Sequence, residues 1–394
     1  AARPERRLGA HRAAIAACDA RVVHNLSQHL TQASRSLDRN TTRLGDPNLA
    51  RYVAAVDLIA AHRSFDAAEV LLHQLLEVRA SGFAGRALVG AMARSPNAAL
   101  VDGLLEALEG GFDPAGMVAA AEVLGWRRET AALPVLLGLL KDTAPRTVRK
   151  AAIAALGRIG NPDVIDVLLP LLDVPGLEAT VGTALLLLGD WRGVDAQAQA
   201  LANPAGRDGS RSRGELVGRY GGPSYLLLLY RAIEVEGPTG IGALQGLGYL
   251  GDPRAVERLI DILAGRDPLR AQVASGALEL ITGRHENPEE SLLRNRWIEW
   301  WARNGPDFQP GVRYRFGQLF SPELLIDRLA NDDGLVRRTS YDELVIGTGQ
   351  RLPFDAEGPY QVQVSHVRGW RRWWSENRQS FPAGRWTFHG ERIG

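Results

Sequence analysis

The feature that most constrains the fold is repetition with a period of about 30 residues. The segment at 156–162 reads LGRIGNP, and it recurs as LGYLGDP at 247–253, about three periods later. Upstream, VLGW at 123–126 matches ALGR at 155–158 at an offset of 32, and LGDW at 188–191 is a degenerate copy. Self-similarity at this spacing predicts a stack of supersecondary units. Neighbouring units must bury what one unit leaves exposed.

One unit has the sequence pattern of a helical hairpin. Its first helix carries a single apolar stripe, formed by Val148, Ala151, Ala152, Ala155, Leu156 and Ile159. Gly160 can take the left-handed conformation that ends a helix, and Pro162 suits the first turn of the next one. The second helix is expected to bury Val164, Ile165, Leu168, Leu169 and Leu172.

The run RTVRKAAIAALGRIGNP at 146–162 resembles the HEAT-like repeats named after phycobilisome lyases, and GDPRAV at 251–256 fits the same pattern. The resemblance is clear over about residues 115–283. It implies an all-α fold, an α-solenoid of HEAT-like hairpins, as in bacterial proteins that contain HEAT repeats. It says little about activity, because one repeat fold carries many functions.

Four regions are predicted along the chain. Residues 1–110 are an atypical helical N-terminal capping region, and 111–252 hold the HEAT-like repeats. The Gly-, Ser- and Arg-rich stretch 203–223 is predicted to be an irregular loop. Two duplicated Trp-rich modules follow, the first at 253–318 and the second at 319–394.

The duplication rests on three sets of matched residues. At an offset of 66, Leu259, Ile260, Leu263 and Ala264 match Leu325, Ile326, Leu329 and Ala330. At an offset of 73, Trp297, Trp300 and Trp301 match Trp370, Trp373 and Trp374. At an offset of 72, Arg313, Tyr314 and Phe316 match Arg385, Trp386 and Phe388. The last segment alternates like a strand. It therefore predicts short β segments that pair with each other or with strands of a partner.

Aromatic and arginine side chains of these modules are the candidate partner-binding residues, since Trp and Arg dominate interface hot spots. The set is Trp297, Trp300, Trp301, Arg313, Tyr314, Trp370, Trp373, Trp374, Arg385 and Trp386. One alternative is an aromatic plug that closes the end of the array. Another is a platform on which nucleic-acid bases stack.

Composition excludes several classes of protein. Hydrophobic residues make up 45% and the net charge is +1, so disorder and a global attraction to nucleic acid or anionic lipid are not expected. Lys141 and Lys150 are the only lysines, and arginine supplies the rest of the positive charge. We attribute this to genome composition, or alternatively to arginine-rich interfaces. Cys18 is the only cysteine, which excludes an intrachain disulfide.

Neither an apolar run of membrane-spanning length nor a signal peptide is recognised in the sequence, so a cytoplasmic, soluble protein is expected, with no membrane partner. The first 45 residues contain eight Arg against three acidic residues, a mildly basic segment.

No pattern of a catalytic or metal site was found, so we expect a chain that is not an enzyme and needs no cofactor. His285-Glu286 is a single dipeptide of the kind that HEAT-like di-iron hydroxylases carry several times, and Glu286, Glu289 and Glu290 are expected in a solvated loop. The acidic run 331–333 is expected to be a turn whose side chains accept backbone hydrogen bonds.

Three functions remain open. The first is a non-catalytic scaffold or adaptor that binds one or more proteins. The second is a lyase or modifying enzyme on a HEAT frame, which the family's name invites. The third is nucleic-acid binding through Arg211, Arg213, Arg219 and the basic N-terminus, which the balanced charge disfavours. The Trp-rich ends also resemble those of HEAT-like proteins that accompany bacterial contractile secretion machinery, which gives a further lead.

Overall fold

The computed structural model describes residues 20–36, 47–78, 82–203, 211–287, 292–356 and 358–394. These residues are mostly helical with four short strands, which confirms the all-α fold class and its HEAT-like hairpins. Cys18, Glu289, Glu290 and most of the basic N-terminal segment lie outside the described residues. No described helix is long and apolar enough to cross a membrane.

The described residues divide into two compact units. The residues up to 164, with 358 and 359, form unit 1, and 165–356 with 360–394 form unit 2. The helices of unit 1 are α1 Ala20–Ser36, α2 Pro47–Ala60, α3 Phe65–Val78, α4 Gly82–Arg94, α5 Ala98–Glu106, α6 Pro114–Arg127, α7 Leu133–Gly138 and α8 Arg146–Ile159. A π turn at Ala107–Gly111 and 3₁₀ turns at Thr130–Ala132 and Pro162–Val164 link them.

Unit 2 holds twelve further helices among the described residues. They are α9 Ile165–Leu168, α10 Glu178–Leu188, α11 Arg192–Ala202, α12 Arg211–Tyr220, α13 Leu226–Ala232, α14 Pro238–Leu250, α15 Val256–Ile262, α16 Pro268–Thr282, α17 Leu293–Asn304, α18 Pro322–Arg328, α19 Gly334–Thr348 and α20 Tyr360–Asn377. Its 3₁₀ turns are Leu169–Asp173, Pro223–Tyr225, Pro253–Ala255, Gly305–Asp307 and Arg378–Ser380. Its strands are β1 Tyr314–Arg315, β2 Gln318–Leu319, β3 Trp386–Phe388 and β4 Glu391–Ile393.

The repeat first recognised in the sequence folds as expected. All six residues of the predicted stripe on α8 are buried, and α8 packs against α6 of the preceding repeat. Gly160 ends α8 at φ 84°, and its amide donates to Leu156 O at 3.1 Å. The following segment is less regular than predicted: Val164 and Leu168 are buried, whereas Ile165, Leu169 and Leu172 are half-buried.

The predicted loop at 203–223 is wrong over residues 211–220, which form α12. The glycines that suggest a loop are instead contact residues, because α12 packs closely against α14. A methyl group at Gly214 or Gly218 would collide with the backbone of Gly242 and Gly246. Two Gly-x-x-x-Gly pairs therefore let the two helix backbones meet, and glycine serves helix packing rather than a turn.

The two C-terminal modules have the same order of elements. Helices α15, α16 and α17 of the first module correspond to α18, α19 and α20 of the second. Helices α16 and α19 each end in a left-handed glycine, Gly283 at φ 74° and Gly349 at φ 72°. The second strand of the first module extends one residue past the predicted boundary at 318.

Each module ends in its own antiparallel hairpin. Strand β1 pairs with β2, and β3 pairs with β4. Strand pairing is therefore within each segment, and the two segments meet at Gly384, which accepts from the Arg313 amide at 2.9 Å and donates to Phe320 O at 2.8 Å. Pairing with strands of a partner stays a prediction. A two-residue turn with positive φ at both positions explains the local pairing, because its twist matches that of the strands. The turns are Phe316-Gly317 and His389-Gly390.

Both turns dock on the end of the preceding long helix. The Phe316 amide donates to Leu280 O of α16 at 2.6 Å, and the His389 amide donates to Ile346 O of α19 at 2.7 Å. These bonds satisfy carbonyls that the helix itself leaves unpaired. The turn positions are 73 residues apart, so the offset of 72 for this segment is wrong by one residue.

The corrected register changes which residues are equivalent. Arg313 corresponds to Trp386, and Arg385 corresponds to Val312. A shift by one residue moves every side chain to the other face of a strand. This explains why Arg313 is buried while Arg385 is partly exposed.

Candidate protein-binding surface and buried arginine cluster

The ten candidate partner-binding residues divide into two groups. Five are buried: Trp297, Arg313, Tyr314, Trp370 and Trp386. They pack inside unit 2, so a partner cannot reach them in this conformation, and their side chains serve the fold. The other five are partly exposed and remain candidates: Trp300, Trp301, Trp373, Trp374 and Arg385.

The two tryptophan clusters have almost the same geometry. Trp297 and Trp300 meet edge to face at 5.7 Å and 83°, and Trp370 and Trp373 do so at 5.7 Å and 81°. Edge-to-face contact suits the ring quadrupoles. In each cluster one indole is fully buried and the next is half-buried. The clusters therefore contribute both to the core of unit 2 and to its surface. A plug that closes the end of the array stays a prediction.

The residues that sequence reasoning missed form a buried arginine cluster, comprising Arg219, Arg313, Arg315 and Glu343. Both Arg313 Nη2 and Arg315 Nη2 lie 3.0 Å from Glu343 Oε1. Arg219 Nη1 lies 3.9 Å from Glu343 Oε2. All four side chains are almost completely buried. The one signal in the sequence is Glu343 itself, which stands where the first module has Ala277.

Main-chain carbonyls at helix ends complete this cluster. Arg313 Nη2 donates to Arg219 O of α12 at 2.9 Å, and Arg315 Nη2 donates to Tyr249 O of α14 at 3.2 Å. The guanidinium of Arg219 also stacks 3.8 Å from the centre of the Tyr249 ring. Each helix C-terminus carries about half a negative charge.

Charge in the cluster is close to balanced. The three arginines face two carboxylates, Glu343 and Glu215, and the C-terminal ends of α12 and α14. Glu215 lies 2.6 Å from Arg219 Nη2. Burial alone would raise the pKa of Glu343, but the surrounding arginines outweigh it and lower that pKa. Burial lowers the pKa of Arg313 to about 9 despite Glu343, so the side chain is still charged at pH 7. We therefore assign the cluster a structural role.

A cavity of about 10 Å³ adjoins the cluster, lined by residues that include Arg313, Glu343, Thr348 and Thr387. This volume is about the smallest that holds one water molecule. The cavity is thus too small for an organic ligand.

Arginines elsewhere in the chain bind helix ends in the same way. Arg127 donates to Ser95 O just after α4, and Arg270 donates to Ile233 O just after α13 at 2.6 Å. Arg337 instead binds a connecting segment, donating to Ala356 O between α19 and α20 at 2.7 Å. A planar guanidinium with five donors suits this task better than an ammonium group. The preference for arginine over lysine therefore has a structural use inside the protein.

The predicted nucleic-acid residues of 203–223 are largely unavailable. Arg213 is buried and lies 3.2 Å from Glu178, and Arg219 belongs to the arginine cluster. Arg211 is exposed and donates to Gln245 at 2.6 Å. Because α12 is packed against its neighbours, this helix exposes one of its three arginines, whereas a basic loop would present all three.

The acidic and histidine-containing segments have ordinary local contacts. Asp333 caps α19 by accepting from the Leu335 amide at 2.8 Å, which confirms the turn. His285 Nδ1 lies 2.9 Å from Glu279, and Glu286 pairs with Arg284. Across the described ranges, no group of three or more His, Cys, Asp or Glu is placed to hold a metal ion.

Comparison with known families agrees with this geometry. Residues 101–189 match the model for HEAT repeats, and residues 241–265 match that for the PBS lyase HEAT-like repeat. No curated protein matches the chain. HEAT repeats of these two types are therefore present in the chain, and they coincide with helices α6 to α10 and α14 to α15.

Proposed function

We propose that this HEAT-repeat protein is a non-catalytic scaffold or adaptor that binds one or more proteins. The observation that carries the proposal is the sequential packing of HEAT-like hairpins, in which helices such as α15 and α16 bury one face and leave another exposed. Repeats of this kind generally mediate protein binding, because stacked helices offer a broad surface on which separate partners can dock.

The half-buried Trp300, Trp301, Trp373 and Trp374 support the same proposal. They are large, rigid and held in place by the buried indole beside them, which keeps the entropy lost on binding low. Exposed apolar side chains on α9 and α13, Val167 and Leu227, add contact area. We place the scaffold's binding surface on these exposed helix faces and tryptophan edges.

The decisive experiment is affinity purification of the full chain from its native organism, with co-purifying proteins identified by mass spectrometry. We expect one or a few proteins in near-stoichiometric amounts. Each should rebind the purified chain in size-exclusion chromatography. If no protein co-purifies and none rebinds, the scaffold proposal is wrong.

The same purified chain separates the alternative functions. A lyase on a HEAT frame would change the absorbance of an added tetrapyrrole. A nucleic-acid-binding protein would retard DNA or RNA in a gel, with an affinity that falls steeply as salt rises. An accessory protein of contractile secretion machinery would co-purify with components of that machinery, which is one form of the scaffold function.

A further inference from the structure

The outer face of α20 and the 3₁₀ turn that follows it carry four arginines, which we call the basic face: Arg368, Arg371, Arg372 and Arg378. The helix buries Val367, Trp370 and the edges of Trp373 and Trp374. At 100° per residue, the first three arginines lie within about a third of the circumference of α20, on the side opposite Trp370, and Arg378 follows in the 3₁₀ turn after the helix. All four are exposed.

The duplicated helix α17 lacks this feature. At the corrected offset of 73, the basic face corresponds to Asn295, Ile298, Glu299 and Gly305. None of these is basic, although the tryptophans beneath are the same in both helices. Packing of the tryptophans therefore does not require arginine at these positions.

The ion pairs that arginines form within the chain also differ between the two helices. On α17, Arg294 lies 3.1 Å from Asp261, and Arg296 lies 3.5 Å from Glu286. On α20, Arg371 likewise pairs at 2.9 Å with Asp327, and both this pair and that of Arg294 are largely exposed. Within the part of the chain that the structure describes, Arg372 and Arg378 form no ion pair. Arg372 and Arg378 are therefore the two members of the basic face that we take as available to a partner.

We propose that the basic face of α20 docks an acidic segment of the partner protein, and this inference rests on the proposed scaffold function. Guanidinium groups bind carboxylates in bidentate pairs, and the adjoining half-buried tryptophans supply apolar contact beside the charge. A helix or extended segment that carries several Asp or Glu residues with intervening apolar residues complements this surface. The face is one helix wide on a chain of net charge +1. This favours a protein segment over nucleic acid, whose binding proteins carry broader positive surfaces.

The test uses the full chain and a labelled peptide of alternating Glu and Leu clusters, measured by fluorescence anisotropy at about 0.15 M salt. The double variant Arg372→Glu/Arg378→Glu reverses two exposed charges without breaking an internal ion pair. The matched control, Arg266→Glu/Arg303→Glu, makes the same charge change on exposed arginines of the first module. Circular dichroism and thermal melting establish that both variants fold.

We expect the peptide to bind the wild type and to bind the α20 variant about tenfold or more weakly, since two charge-assisted pairs are lost. The control should change the affinity by less than about threefold, through long-range charge alone. Arg372→Lys/Arg378→Lys should retain part of the affinity, because charge is kept while bidentate geometry is lost.

Three results would overturn the inference: no peptide binding by the wild type, equal weakening by both double variants, or tighter binding of a DNA duplex than of the peptide. Failure here is distinguishable from failure of the scaffold function. If a native partner still binds the Arg372→Glu/Arg378→Glu variant, the scaffold function is supported and the basic face is not its docking site. If no native partner exists, the scaffold itself falls.

Discussion

The two C-terminal modules share an interior layer and differ in what surrounds it. Trp297 and Trp370 are both fully buried, and their contacts with the next tryptophan agree within 2°. Outside that layer, equivalent positions hold residues of unlike chemistry. Arg313 stands where the second module has Trp386, and Ala277 stands where it has Glu343.

These differences are complementary. The first module contributes two arginines to the buried cluster, and the second contributes the carboxylate that they share. Arg313 and Trp386, although unlike, both donate to carbonyls at the end of α14, at Tyr249 and Leu250. The duplicated modules thus share the aromatic layer. They differ at the residues through which they contact each other and α14.

The largest effect is expected from removing the shared carboxylate. Glu343→Ala leaves Arg313 and Arg315 as buried charges without a carboxylate, which destabilises proteins by about 3–5 kcal/mol. Thermal melting of unit 2 measures this loss. Glu299→Ala, on the exposed surface of α17, is the control and should change stability by less than about 0.5 kcal/mol. Equal effects of the two substitutions would mean that the cluster does not stabilise unit 2.

The two buried tryptophans test whether the cores of the two modules are energetically equivalent. Trp297→Ala and Trp370→Ala should each destabilise unit 2 by about 3–5 kcal/mol, because a fully buried indole leaves a cavity. Denaturant titration of both variants gives the two values. A difference above about 2 kcal/mol between them would show that the modules are not equivalent in their cores.

The two helix-ending glycines should respond unequally to the same substitution. Gly349→Ala costs about 1–2 kcal/mol for the left-handed conformation, and its new methyl would lie 3.3 Å from His389 O. Gly283→Ala carries that cost and also sets the methyl 2.5 Å from Phe316 O, so it should cost about 1 kcal/mol more. The melting temperatures of the two variants show which substitution is more destabilising. The reverse order would contradict the closer docking of the first hairpin on its helix.

The smallest expected effect concerns pH and the turn residue His389, whose counterpart Phe316 cannot titrate. Burial lowers the pKa of His389, and its Nε2 donates to Leu186 O at 2.8 Å. The unfolded chain therefore takes up the proton more readily, and the stability that His389 contributes is lost as pH falls below about 6.5.

The variant His389→Gln keeps a donor but removes the titration. Between pH 7.5 and 5.5, the melting temperature of the variant should fall less than that of the wild type. The difference between the two falls should correspond to less than about 1 kcal/mol of stability. An unchanged pH dependence would show that His389 is not the group responsible.

Local patterns in the sequence predict local structure well here. The stripe on α8, the stop at Gly160 and the capping role of Asp333 all follow from spacing and residue type, and the structure confirms them. The register of the second hairpin does not follow, because residue similarity favours matching Arg313 with Arg385. Turn geometry decides that register, and turn geometry depends on docking against α19.

Contacts between residues that are far apart in the sequence could not be predicted from local patterns either. Gly214 and Gly218 predict a loop when taken alone, and only their contact with Gly242 and Gly246 shows helix packing. Trp297 and Trp300 carry the same sequence signal, yet one is buried and the other half-exposed. The arginine cluster draws on three separate segments, and no single window of sequence contains it.

The docking of the second hairpin on α10 has a consequence for how the protein folds during synthesis. In most repeat proteins each unit contacts only its neighbours, so structure can propagate along the chain as it emerges. Here His389 bonds to Leu186, 203 residues away, and Trp386 bonds to Leu250, 136 residues away. Such non-local pairing slows folding. The carbonyls of Leu186 and Leu250 therefore lack these two bonds until the ribosome has made residues 386–389.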